Sequence, residues 1–425
     1  MLGRGYFMDQ ELLAYFNAVD IISQIKLNLQ HEMVSVEESL GRVIQEDIST
    51  QIESPQWNTS AMDGFAVNSL YTKFASNSNP IKIKLIGLIT AGDKIKILQN
   101  TEECFQINTG APIPKGADAV VKVEDVSLIN GEILCTAPVY SDLNIIRKGD
   151  YGNIGEIVIK SGQIICAQDI AFLKSQGIFK IKVSEKIVVS IIASGNELIP
   201  IFVPDHGKIV ETNSLMIKQI ITNSRCEVQS RGIVEDKVDQ IINEVKESIL
   251  DSHVTIIIGG TSKGTKDLVP DSLDKIDNSE KIFHGVKIKP GKPFGVWKIN
   301  NQKLIFLSPG PPYASFLTTK VFIEPFLQIC TVGNRFLEIG GHIDIVLENS
   351  VKVNSGRSEF LRVKLNYNKQ QLVGKIIGIK GSGDFIATCK ADAILIPNSI
   401  RTEYLEGETI TAFLIRPVPI YNDRD

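Results

Sequence analysis

Apolar positions repeat with two different periods, and the period changes several times along the chain. Ala14, Phe16, Val19, Ile22 and Ile25 recur at helical spacing, so residues 1 to about 50 read as helix, with a second short helix over 36–40 ended by Gly41. From about 81 to 146, runs such as IKIKLIGLI and DAVVKVEDV alternate apolar and polar residues between glycine, proline and asparagine turns, which is the period of strands. Residues 147–183 are turn-rich, with one helical stretch over 167–175. From about 186, apolar runs (KIVVSIIASG, CEVQSRGIV, HVTIIIGG, LIFLSPG) alternate with helical segments (ETNSLMIKQIIT, DKVDQIINEVKESIL, ASFLTTKVFIEPFL). That alternation, with strands apolar on both faces, predicts a doubly wound α/β domain. Beyond about 333, HIDIVLE, EFLRVKLN, ADAILIP and ETITAFLI are short alternating strands of a small terminal β-barrel.

The expected fold class is therefore multidomain α/β. Residues 1–54 and 147–185 form a helix-and-strand linker region, and 55–146 a β-rich second domain. Residues 186–332 form the α/β domain and 333–425 the barrel. The length of 425 residues, 46.8 kDa, agrees with about three domains at roughly 150 residues each. With 43% hydrophobic and 22% charged residues the composition is that of a globular chain, which excludes wholesale disorder. A net charge of −4 gives no support to a nucleic-acid or anionic-membrane partner, and neither is expected. The six cysteines and five histidines are dispersed, so neither a thiolate zinc knuckle nor a histidine metal cluster is expected. The N-terminal MLGRGYFMDQ lacks an apolar signal core, and no apolar run reaches the ~18 residues of a membrane span; a cytoplasmic setting is expected. Trp57 and Trp297 read as packing residues.

In an open α/β sheet, ligands sit beyond the carboxyl ends of the strands. Three loops leave such ends: Ser194-Gly195-Asn196-Glu197, the run from Gly259 and Gly260 to Asp267, and Ser308-Pro309-Gly310-Pro311-Pro312. In the second, two glycines let backbone amides approach an anion, and Thr261 and Ser262 add hydroxyls. It lacks the GxxxxGK[ST] pattern of a P-loop, and its other reading is a solvated turn capped by Asp267. Around the Pro290-Gly291 turn, Lys289 and Lys292 either clamp an oxyanion or are solvated lysines of a hairpin.

Taken together and in order, these segments resemble the MoeA family of molybdopterin molybdenumtransferases, which includes the E domain of gephyrin. The resemblance rests on SAMDGFAV (60–67), NTGAPIPKGADAVVKVED (108–125), RKGDYGNIGE (147–156), ASGNELI (193–199), ETNS (211–214), GGTSKGTKD (259–267), KPGKPF (289–294), SPGPP (308–312), GRSEFLRV (356–363) and GSGDF (381–385). It implies a molybdopterin-binding α/β domain of the MoCF type and an elongated homodimer with a cross-subunit active site. It also implies insertion of molybdate into adenylylated molybdopterin, with Mg²⁺-dependent hydrolysis and release of AMP. A molybdopterin adenylyltransferase is the implied supplying partner.

Carried over by motif, Asp63, Asp267, Lys289 and Lys292 are the catalytic candidates. Thr109, Ser194, Gly195, Gly259, Gly260, Thr261, Ser262, Gly264, Pro309 and Gly310 would bind substrate, and Glu197, Asp236 and Asp267 would hold the metal. The chain departs from the family pattern at Gln106, Asp150–Tyr151, Asn196, Glu211, Thr265 and Pro311. Two alternatives follow. One is a molybdopterin-binding scaffold of weak activity, and the other a CinA-like hydrolase of nucleotide pyrophosphates.

Overall fold

The computed structural model describes residues 12–201, 207–260, 268–300, 302–332, 341–353, 356–368, 371–378, 381–398 and 400–417. They form two compact units. One holds Val34–Leu40 with Ile44–Ile181, and the other holds Gly41–Val43, the chain before Val34 and the chain from Lys182 onward.

Of the helix read over residues 1–50, the described residues from 12 onward contain one α-helix, α1 (Tyr15–Gln24). Beyond it Leu27 and Leu29 alternate with polar residues, and the chain is extended before a strand at His31–Ser35. The helix expected over 36–40 is a single 3₁₀ turn, Val36–Glu38, started by Ser35 Oγ accepting the Glu38 N–H at 3.3 Å.

The first unit carries a six-stranded sheet of β1 (Gly64–Val67), β2 (Ile81–Ile89), β3 (Glu103–Ile107), β4 (Ala119–Lys122), β5 (Ser127–Ile129) and β6 (Glu132–Cys135), in the order β4-β1-β3-β2-β6-β5. Alternation sends Phe65, Val67, Cys104, Val121 and Ile133 to one core and Ala66, Phe105, Ile107 and Val120 to another, while a register shift between Leu85 and Leu88 lets β2 give Ile83 to the first and Ile89 to the second. Helix α2 (Ala167–Ser175) falls on the segment whose spacing predicts it. Trp57 is a correction: at 40% exposure it is no core residue, because it lies in a loop outside any period that points a face inward.

The second unit contains the α/β sheet. Its strands are β7 (Val188–Ser194), β8 (Glu227–Val234), β9 (Val254–Gly259), β10 (Ser279–His284), β11 (Gly295–Ile299) and β12 (Lys303–Ser308), ordered β8-β7-β9-β12-β11-β10. The first four run parallel, and β11 is antiparallel to both its neighbours. Helices α3 (Asn213–Thr222), α6 (Pro312–Thr318) and α7 (Glu324–Val332) pack on one face, where Ile191, Ile256, Ile258 and Phe306 meet Ile217, Leu317 and Phe326. Helices α4 (Val238–Asp251) and α5 (Leu268–Leu273) pack on the other, where Ile192, Ile257 and Leu307 meet Val245 and Leu273. The sheet is thus doubly wound, as the strand–helix alternation predicts. The antiparallel pair β10–β11 is an addition that the alternation did not show. The expected terminal barrel is closed by β13 (His342–Leu347), β14 (Leu361–Asn368), β15 (Gln371–Ile377), β16 (Ala393–Leu395) and β17 (Thr409–Leu414), in the order β13-β15-β14-β16-β17.

Trp297 is fully buried and donates Nε1–H to Asp274 Oδ1 at 2.7 Å, which settles its polar end. Phe294 stacks on Phe322, with ring centroids 4.6 Å apart, and on Phe306 at 6.0 Å. Phe294→Ala should cost about 3–5 kcal/mol, read as a lowered denaturation midpoint in Trp fluorescence. Burial pushes the thiols of Cys104 and Cys226 up to about 12, and those of Cys135 and Cys330 to about 11. Only Cys166 and Cys389 are exposed. A thiol reagent at pH 8 should therefore label these two rapidly in the native protein, and the four others only on unfolding.

Candidate functional site

Register builds the site. Ser194 at the end of β7 lies opposite Gly259 at the end of β9, and Ile258 lies opposite Ser308 at the end of β12. The three loops singled out in the sequence therefore leave the sheet side by side. Gly259 has φ +92°, and a Cβ on it would sit 2.4 Å from the Ser194 carbonyl oxygen; on Gly260, at φ +65°, it would sit 2.2 Å from Val269 Cγ2. Only glycine fits at either position.

These loops open into a cleft of about 770 Å³, within the range of small-molecule sites. Ser194, Glu197, Gly259, Gly260, Pro309 and Gly310 line it from the sheet side, and Glu211 and Asn213 from the start of α3. Lys289 and Lys292 line it from the Pro-Gly turn, and Arg357, Glu359 and Arg362 from the segment leading into and through β14. Of the expected residues, Thr261, Ser262, Gly264 and Asp267 lie outside the described residues.

Asp236 braces the first loop. Its Oδ1 accepts the Ser194 hydroxyl at 2.7 Å, its Oδ2 accepts the Asn196 N–H at 3.4 Å, and its own N–H donates to Asn196 Oδ1 at 3.1 Å. Asn196 closes the loop through its backbone N–H and its side-chain oxygen, both of which an aspartate at this position would also supply. The Glu197 carboxylate folds back over Gly195, where a Cβ would lie 2.9 Å from either carboxylate oxygen. Glu211 Oε1 accepts the Ser214 N–H at 2.9 Å near the start of α3. Among the described residues no group of three or more His, Cys, Asp or Glu converges as a metal cage would. What the cleft does offer is carboxylate oxygen from Glu197 and Glu211, the donor type of a hard divalent cation that keeps most of its water or phosphate ligands.

Lys289 lines the cleft with its side chain about half exposed, and it also has a partner that neither sequence reading named. Its Nζ pairs with Glu359 Oε1 at 2.6 Å, and the Glu359 side chain is only 9% exposed. The strand pairing of Ile288–Lys289 with Ser358–Glu359 brings the two together. Arg362, 2% exposed, donates to the carbonyls of Gly378, Gly381 and Asp384 and to Thr388 Oγ1, and its guanidinium stacks 4.1 Å over the Tyr313 ring. Burial pulls its pKa below the ordinary arginine value, opposed by Tyr313 and Asp384, yet arginine keeps its charge at neutral pH. Arg357, Glu359 and Arg362 were not singled out as site residues. The two arginines of GRSEFLRV were the available signal.

Asp63 and Thr109 belong to the other unit, where two motif turns interlock. The Ser60 N–H donates to Ala111 O at 3.0 Å, and the Gly110 N–H donates to Ser60 O at 2.7 Å. Thr109 then donates its N–H, at 2.7 Å, and its hydroxyl, at 3.1 Å, to Asp63 Oδ1.

The doubly wound domain, the β-rich sheet and the barrel define a multidomain α/β protein whose cleft, lined by lysines, arginines and glutamates, lies at the carboxyl ends of the parallel strands. Residues 13–177 match the family description "MoeA N-terminal region (domain I and II)", and residues 190–329 match "Probable molybdopterin binding domain". A molybdopterin molybdenumtransferase of Staphylococcus aureus is 31% identical over 90% of this chain and 90% of its own; that of Haemophilus influenzae is 27% identical over 92% and 95%. Two crystal structures of the MoeA protein of Pyrococcus horikoshii superpose with TM-scores of 0.83 and 0.76, at 29% and 28% identity, covering 96% and 95% of this chain and all of theirs. The chain belongs to the MoeA family, that of the molybdopterin molybdenumtransferases, and so to molybdenum cofactor biosynthesis.

Lys289→Met should lower stability by about 1–3 kcal/mol, because it takes away a cation paired with the buried Glu359. The double variant Lys289→Met with Glu359→Gln should recover part of that loss. Equal stability of the two variants in chemical denaturation would show that the pair is not coupled.

Proposed function

We propose that the chain inserts molybdate into adenylylated molybdopterin, with hydrolysis of the phosphoanhydride and release of AMP. The observation that carries this reading is the cleft itself. A glycine pair at a strand end faces a wall bearing Lys292, Arg357 and Arg362, which suits a ligand with a pyrophosphate and an oxometalate dianion. The Gly259–Gly260 backbone admits phosphate oxygens, Lys292 and Arg357 meet anionic charge, and the buried Arg362 holds a positive field at the barrel side of the cleft.

Glu197, with Asp267 by motif, would hold Mg²⁺. When bound, the cation polarises the phosphoryl group and offsets charge on the leaving AMP. Asp236 supports that site by orienting Ser194 and Asn196. The working form is a cytoplasmic homodimer with an active site shared between subunits, to which Asp63 and Thr109 contribute. The substrate comes from a molybdopterin adenylyltransferase.

AMP release from adenylylated molybdopterin should require both molybdate and Mg²⁺. Tight binding without release would favour the scaffold reading, and cleavage of ADP-ribose without a molybdopterin product would favour the pyrophosphate hydrolase. Asp267→Asn should abolish release in a chain that still folds. Lys292→Ala should raise the molybdate concentration needed for half-maximal rate about tenfold, and more than it weakens AMP binding; equal losses would count against a molybdate role for Lys292.

A further inference from the structure

The ETNS segment matches the family in sequence, yet none of the roles above uses Asn213, which lines the cleft at the start of α3. Its Nδ2 donates to the Gly310 carbonyl at 2.7 Å, across 97 residues of sequence. That bond also decides which way round the amide lies, since an oxygen facing a carbonyl would be repelled. The remaining atom, Oδ1, is buried and has no hydrogen-bond partner among the described residues.

An unpaired buried acceptor is costly, so an amide at this position gives up part of what its own hydrogen bond to Gly310 contributes. Its compensating use is the bond made by its NH₂. Gly310 is the hinge point of the proline loop, between Pro309 and the pair Pro311-Pro312 that starts α6. It is also in contact with the glycine loop, since a Cβ on Gly310 would lie 3.6 Å from Gly259 Cα. The Gly310 carbonyl therefore ties the proline loop to α3, at a residue lying beside the glycine loop. On the other side, Tyr313 N–H donates to Ser382 O at 3.0 Å, so the loop is tied at both its ends.

We propose that Asn213 is a positioning residue for the substrate cleft: its amide holds the proline loop against the start of α3 and so sets the spacing of two cleft walls. This rests on the cleft being the substrate site. Proline cannot donate a backbone hydrogen bond, so Pro311 and Pro312 cannot anchor the loop through their own nitrogens. The side chain of Asn213 supplies that anchor instead.

The test compares Asn213→Leu and Asn213→Asp with the wild type in three measurements: thermal midpoint, turnover of adenylylated molybdopterin, and amide exchange by mass spectrometry. Leucine keeps the volume, removes the unpaired oxygen and cannot donate. Its expected result is a midpoint close to wild type, since loss of the unpaired oxygen and loss of the bond to Gly310 oppose each other, with a KM raised about tenfold, a smaller change in kcat, and faster exchange confined to the peptide over 308–316. Aspartate, with oxygen facing the Gly310 carbonyl, should raise KM further. Wild-type KM and exchange in Asn213→Leu would overturn the proposal, as would a loss of activity that merely follows a fall in midpoint. Should the wild type show no turnover, the reaction assigned to the cleft fails. Binding of AMP alone and the exchange pattern would still decide the role of Asn213.

Discussion

The alignment of strand ends in the parallel sheet is the constraint on which the site depends. Residues Ile256, Ile257 and Ile258 of β9 are all isoleucine and all buried, so hydrophobicity alone would not resist a slip of one residue. Polar and steric contacts have to define the register. Thr255, fully buried on the same strand, hydrogen-bonds Ser248 of α4 at 2.8 Å. At the far end Gly259 lies so close to the Ser194 carbonyl that no side chain fits. A slip would move an isoleucine into that contact and leave Thr255 without its partner. One of the contacts that choose the register is thus at the cleft and the other at the opposite end of β9, so the fit at Gly259 serves both folding and site geometry.

Burial then decides the electrostatics of the cleft. Glu359 is nearly inaccessible, and its pairing with Lys289 sets a fixed negative charge beside a cation that lines the cleft. Arg362 is buried more deeply still, yet the groups it bonds are carbonyls and a hydroxyl rather than a carboxylate. Carbonyl dipoles and the Tyr313 ring meet the guanidinium's hydrogen-bonding needs without cancelling its net charge. An anion entering the cleft meets a positive field that is fixed in place. Little side-chain entropy is lost on binding, in contrast to the flexible lysines that the sequence brings to mind first.

The fold was largely legible because its signals are local. Continuous apolar runs and period-3.6 stretches from Val188 onward located the four parallel strands and helices α3, α4, α6 and α7, and the alternating tail located four of the five barrel strands, all but Gln371–Ile377. The first fifty residues were less legible. There, single apolar positions fit helix and strand alike, and pairing partners far along the chain decide between them. Candidate residues in strand-end loops were legible for the same local reason, since Ser194, Glu197, Gly259 and Gly310 follow recognisable apolar runs and all line the cleft. Pairings between distant segments were not legible. Nothing near Lys289 in sequence announces Glu359, and nothing near Asp236 announces that its two oxygens brace Ser194 and Asn196.

That distant pairing also separates this chain from a reading as an α/β module with appendages. The cleft takes its sheet-side wall from the ends of β7, β9 and β12, but Glu359 and Arg362 come from the segment that begins the barrel. Tyr313, on the helix that follows β12, donates its N–H to Ser382 and its hydroxyl to the Phe360 carbonyl, and carries the Arg362 guanidinium on its ring. Remove the barrel and Lys289 loses its counter-ion, Tyr313 loses both hydrogen-bond partners, and the fixed positive charge is gone. A hydrolase built on the α/β module alone would need none of these. Their presence, built from residues that are buried only because barrel and sheet meet, argues that the cleft evolved as a two-domain site.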